Sequence, residues 1–113
     1  MKEKLIEMKN ELDYLSEEIL SVENEKSRLI QAEEELHFLF RKNNRLLQEL
    51  KYEWKTGEMS FIIHDTEVEL NQHERKAIQT VEDEIHSLNK KKNLLEEKEQ
   101  DLQQKVRLLI SRS

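Results

Sequence analysis

The chain has 113 residues and a formal net charge of −6, with no proline, no cysteine and a single glycine. Charged residues make up 39% of it and aromatic residues 5%, a balance typical of long helices that share one narrow apolar seam. The absence of cysteine excludes disulfides and thiolate chemistry, and the acidic balance argues against nucleic-acid binding, which relies on clustered basic side chains.

The first residues lack the apolar stretch of a secretory signal, and no apolar run approaches the ~20 residues needed to span a bilayer. We therefore expect a cytoplasmic protein without membrane insertion, with export alongside a partner by a route that uses no Sec signal as the alternative.

In the first half, apolar residues follow steps of three and four, which places them on one side of an α-helix. This seam consists of Leu5, Met8, Leu12, Leu15, Ile19, Val22, Leu29, Leu36, Phe40, Leu47, Leu50 and Trp54. Asn43 occupies a seam position, where a polar side chain can fix the register. A second stripe consists of Leu20, Ile30, Phe38, Leu39 and Leu46. This stripe widens the apolar face beyond what one partner helix covers, which predicts either a further partner surface or a four-helix dimer.

The second half repeats this pattern and completes the fold prediction. Its stripe consists of Leu70, Ala77, Val81, Ile85, Leu88, Leu95, Leu102, Val106 and Leu109. The sequence thus predicts an all-α fold, a long antiparallel two-helix hairpin that resembles a coiled coil, in one domain over 1–113. We expect helix 1 over about 3–55, the turn over about 56–60 and helix 2 over about 61–111.

The turn is marked by Gly57, because a left-handed residue after a helix costs glycine almost nothing. For the start of the second helix the sequence offers two N-caps. One is Ser60, and the other is Thr66, whose spacing to Glu69 fits a capping box.

Enzymatic chemistry finds little support in the sequence. The four histidines form no pair at i and i+4 beside a carboxylate ligand, and the Asp83 and His86 pair is of a kind common by chance in acidic helices. One glycine cannot build a phosphate-binding loop. We predict a non-enzyme without metal or cofactor.

Phe61 and Asp65 form an F-x-x-x-D pattern at the bend of this short, acidic, helical chain. Here the chain resembles the small helical partners of LXG toxins in type VIIb secretion, distant relatives of WXG (ESAT-6-like) hairpins, in which such a motif is regarded as part of an export signal. The resemblance implies a targeting factor that binds the N-terminal helical region of an LXG toxin. Further implied partners are a second small helical protein and the secretion machinery.

The candidate binding residues are Phe61, Asp65, Trp54 and Gly57. Trp54 and Gly57 form W-x-x-G where a WXG protein has W-x-G, and the C-terminal segment has no Y-x-x-x-D/E tail, so the chain departs from a standard WXG substrate.

Two structural alternatives stay open, in which Phe61 packs on Trp54 or Tyr52 to close the turn and Asp65 complements the helix dipole. Two other functions also remain: a self-associating coiled-coil scaffold, and a prefoldin-like or secretion chaperone.

Overall fold

In the computed structural model, which describes residues 2–112, the chain forms two long α-helices. Helix α1 spans Lys2–Glu53 and contains 52 residues, and helix α2 spans Glu58–Arg112 and contains 55. No strand occurs within the described residues. The predicted all-α helical hairpin is therefore confirmed.

The bend between the helices is shorter than predicted. Helix α1 ends at Glu53 rather than near residue 55, and α2 already begins at Glu58 rather than near residue 61. Gly57 has a φ of 88°, the left-handed conformation expected of it, but it lies directly before α2 rather than directly after α1. The glycine therefore sets the direction in which the chain enters the second helix.

Both predicted N-caps are wrong, because Ser60 and Thr66 lie inside α2. The backbone amide of Ser60 donates to the carbonyl oxygen of Gly57 at 3.2 Å, and the Ser60 hydroxyl donates to the same oxygen at 2.8 Å. The Thr66 hydroxyl donates to the carbonyl oxygen of Ile62 at 2.8 Å, one helical turn earlier. The hydroxyls bond back along the helix, as Ser and Thr do within helices rather than at their starts.

The described residues fall into two compact units of nearly equal length. The chain up to Arg28 and the chain from Ile85 onward make up the first, called here the terminal unit, and residues 29–84 make up the second, called the bend unit. Each unit pairs one segment of α1 with one segment of α2.

The helices of the terminal unit are antiparallel, as two polar bridges show. The Ser16 hydroxyl donates to Glu99 Oε2 at 3.0 Å, and Glu23 forms an ion pair with Lys92. Seven residues forward along α1 thus correspond to seven residues back along α2. Five apolar side chains form the core of this unit: Leu15, Val22, Leu88, Leu102 and Val106.

The bend unit has a smaller core, in which only Leu47 and Ile63 are buried. Lys51 Nζ donates to Glu67 Oε1 at 2.7 Å across the two helices, and Gln48 Nε2 lies 3.4 Å from Glu67 Oε2. Ile63 is seven residues before Leu70, the first residue of the predicted stripe, so the heptad spacing contained a signal for Ile63 that the sequence prediction missed.

Most predicted seam residues are buried or half-buried, but three lie elsewhere. Asn43, Leu50 and Trp54 are exposed, so the prediction that Asn43 fixes register within the hairpin seam is wrong. Beyond Phe40 the inward side of α1 continues through Leu47 and the half-buried Lys51. Steps of three and four fit either of two adjacent faces of a helix. The prediction placed Asn43, Leu50 and Trp54 on the inward face, but they lie on the exposed one.

Candidate functional site

The bend presents two of the predicted site residues together. Phe61 lies in the first turn of α2 with 72% of its surface exposed, and Asp65 is also exposed. Because they are four residues apart in one helix, they lie on the same face, one turn apart.

The burial of neighbouring side chains explains why this face points away from the hairpin. Ile63 is buried, and Glu67 is half-buried and paired with Lys51. Phe61 and Asp65 each come two residues before one of these inward-facing side chains, a separation that places them on the far side of a helix. Ile63 and Glu67 therefore fix which side of α2 faces α1 at the bend, and Phe61 and Asp65 lie on the opposite side.

The exposures at the bend argue against Phe61 acting as a packed closure of the turn. Tyr52 is 75% exposed, Trp54 is 47% exposed, and Phe61 exceeds the tryptophan in exposure. The Tyr52 ring instead has Lys55 Nζ at 4.3 Å from its centroid, a cation–π contact within the bend. Gly57 contributes to the bend through its left-handed backbone conformation. A Cβ built on it would have no heavy atom within 4 Å.

The bend unit also carries most of the exposed large apolar side chains of the described residues. They are Ile30, Phe38, Leu39, Leu46, Leu50, Tyr52, Trp54, Met59, Phe61, Ile62 and Val68. This set includes four of the five members of the predicted second stripe. Exposed apolar surface, where it forms a large patch, is a common mark of protein-binding regions.

An open groove of about 700 Å³ lies between the helix segments of the bend unit. Phe40 and Ile78 provide apolar walls, and Arg41, Glu74 and Arg75 provide charged ones. The groove marks a place where the two helices leave space between their side chains.

The described residues contain no group of three or more His, Asp or Glu side chains placed to hold a metal ion. Asp83 of the Asp83 and His86 pair accepts a hydrogen bond from Gln79 Nε2 at 2.8 Å. Within residues 2–112, neither helix is long and apolar enough at any point to cross a membrane.

A family model described as a protein of unknown function, DUF3958, matches residues 3–109. The chain belongs to the DUF3958 family. The match includes the bend and nearly all of both helices, so the features described above lie within the part of this DUF3958 protein that defines its family. No curated protein and no solved structure matches the chain.

Proposed function

We propose that this DUF3958 protein is a non-enzymatic adaptor that binds the N-terminal helical region of an LXG toxin and contributes an export signal for type VIIb secretion. The observation that carries the proposal is the outward presentation of Phe61 and Asp65 on one face at the start of α2. The F-x-x-x-D pattern is thus accessible to a receptor while the helices of the bend unit remain paired.

The exposed apolar side chains of the bend unit supply the other half of the proposal. A helical region of the toxin packs along the members of the predicted second stripe among them, Ile30, Phe38, Leu39 and Leu46. This contact removes apolar area from water, at roughly 25 cal/mol per Å² before the costs of association are subtracted. We propose that these apolar side chains bind the toxin and that the face with Phe61 and Asp65 contacts the secretion machinery.

The decisive experiment measures complex formation and export separately. Asp65→Ala and Phe61→Ala should abolish export of the toxin, while the chain still co-purifies with the N-terminal helical region of the toxin. The matched controls are Glu69→Ala, another exposed acid of α2, and Tyr52→Ala, another highly exposed aromatic residue. Both controls should export normally.

Loss of the complex with Asp65→Ala or Phe61→Ala would show that these residues have a structural role instead. Normal export with both changes would remove the signal from the proposal. Failure of the unmodified chain to bind any LXG toxin region would overturn the adaptor function itself.

A further inference from the structure

The exposed side of α1 in the bend unit contains a second heptad seam. Leu39, Asn43, Leu46 and Leu50 follow steps of four, three and four, and all four are exposed; the leucines are 52%, 58% and 43% exposed in chain order. These steps keep the four residues, called here the outer stripe, on one side of the helix. A stripe with this spacing is the surface that a coiled-coil helix offers to another helix.

Charged residues line the edge of the outer stripe in an ordered way. Glu35, Lys42 and Glu49 are spaced seven residues apart, so they occupy the same heptad position, and their charges alternate in sign. All three are exposed. In a coiled coil, charges at this flanking position select the partner and its orientation.

We propose that a second copy of this chain packs antiparallel on the outer stripe and forms a four-helix bundle centred on the bend unit. In this arrangement Leu39 meets Leu50 of the second copy, and Asn43 meets Leu46 of the second copy. Because the arrangement is symmetric, each contact occurs twice.

The charge pattern fits this occupant because it complements itself. When Leu39 and Leu50 share a layer, Lys42 lies beside Glu49 of the second copy, and Glu49 lies beside Lys42 of the second copy. The two Asn43 side chains fall in adjacent layers near the symmetry axis, where their amides can satisfy one another. Asn43 thus fixes register between copies instead of within the hairpin.

The test is a charge reversal measured by light scattering and sedimentation equilibrium on the full chain. The wild type should have twice the 13.7 kDa mass of one chain. Lys42→Glu and Glu49→Lys should each raise the dimer dissociation constant by about tenfold, because symmetry makes each change create two like-charge pairs. The double variant restores opposite charges and should return to the wild-type constant.

Rescue by the double variant cannot come from within one helix. Residues 42 and 49 are two turns apart, about 10 Å along the axis, and so do not pair directly. Lys42 also has a local role, since its Nζ lies 5.4 Å from the centroid of the Phe38 ring, but Glu49→Lys would not replace that contact.

The matched control reverses Lys90 and Glu97, which have the same charges and the same spacing and are likewise exposed, on α2 of the terminal unit. These reversals should leave the dissociation constant unchanged.

Leu46→Glu should yield a monomer with unchanged helical circular dichroism. A wild-type chain that stays monomeric at all concentrations would overturn the proposal, and so would a dimer insensitive to the charge reversals or one whose double variant is not rescued. Leu39 and Leu46 serve both proposals, so the toxin region and the second copy compete for them. The test uses the chain alone, and its outcome is therefore independent of toxin binding.

Discussion

The terminal and bend units are built from the same two helices but use their apolar side chains in opposite ways. The terminal unit buries five of the seven core residues found among the described residues and exposes only six large apolar side chains, whereas the bend unit buries two and exposes eleven. Since the units have nearly equal length, the difference reflects the placement of apolar residues and not their supply. The terminal unit packs more of its apolar side chains between its two helix segments, and the bend unit leaves more of them exposed.

The largest expected consequence concerns two leucines with equal burial. Leu88 of the terminal unit and Leu47 of the bend unit are each 7% exposed. We expect Leu88→Ala to lower the free energy of unfolding by about 3 kcal/mol and Leu47→Ala by about 2 kcal/mol, because fewer buried neighbours surround the second cavity. Urea denaturation measures both. Leu94→Ala, at a site that is 60% exposed, is the control and should stay within about 0.5 kcal/mol of wild type. A larger cost at Leu47 would reverse the comparison.

Amide hydrogen exchange offers a second measure of the same difference. Amides near Val22 and Leu102 should exchange at least about tenfold more slowly than those near Leu47 and Leu70, because the bend unit has fewer buried apolar contacts to break on opening. The measurement needs a concentration at which light scattering shows a monomer, since a dimer would protect the bend unit. Equal protection in both units would show that core size does not control local opening here.

The third test concerns the conformation of the bend. Gly57→Ala should cost about 1 kcal/mol, because a φ of 88° is strained for a residue with a Cβ. No heavy atom lies within 4 Å of the added Cβ, so the cost contains no steric clash. Gly57→Asn should cost less, since asparagine tolerates the left-handed region better. Equal urea midpoints for the alanine variant and the wild type would indicate that the bend adopts another conformation when glycine is absent.

The sequence predicted the helices, their pairing and the terminal core well, because one strong apolar seam left a single helical face to bury. It failed around residues 43–54, where α1 carries apolar residues on two adjacent faces and spacing alone cannot choose between them. The inward side was decided by contacts between the helices, namely the burial of Ile63 and the Lys51 and Glu67 pair. Exposure of Phe61 and Asp65 follows from those same contacts, which a linear pattern does not show.

The smallest expected effect comes from the ion pair of the terminal unit. Lys92 holds the pKa of Glu23 below the ordinary 4.5, mainly through its hydrogen bond and to a smaller extent through its charge. The same hydrogen bond raises the pKa of Lys92 above 10.5. A lowered carboxyl pKa stabilises the folded state above pH 4.5, and this contribution is lost as the pH falls through the folded pKa. The lysine contribution is present below pH 10.5 and is lost as the pH rises through its folded pKa.

Glu23→Gln should therefore lower the melting temperature slightly at neutral pH, and the difference from wild type should disappear in strong acid. Glu23 is exposed and Lys92 is half-buried, so solvent reaches the pair and added salt should also shrink the difference. Glu25→Gln changes another exposed glutamate two residues along α1 and serves as the control, with no loss of the Lys92 pair expected. A difference for Glu23→Gln that persists unchanged into acid would mean that side-chain packing, and not the ion pair, accounts for the effect. Because the pair joins α1 to α2 beside the buried Val22, such a result would assign still more of the stability of the terminal unit to its apolar core.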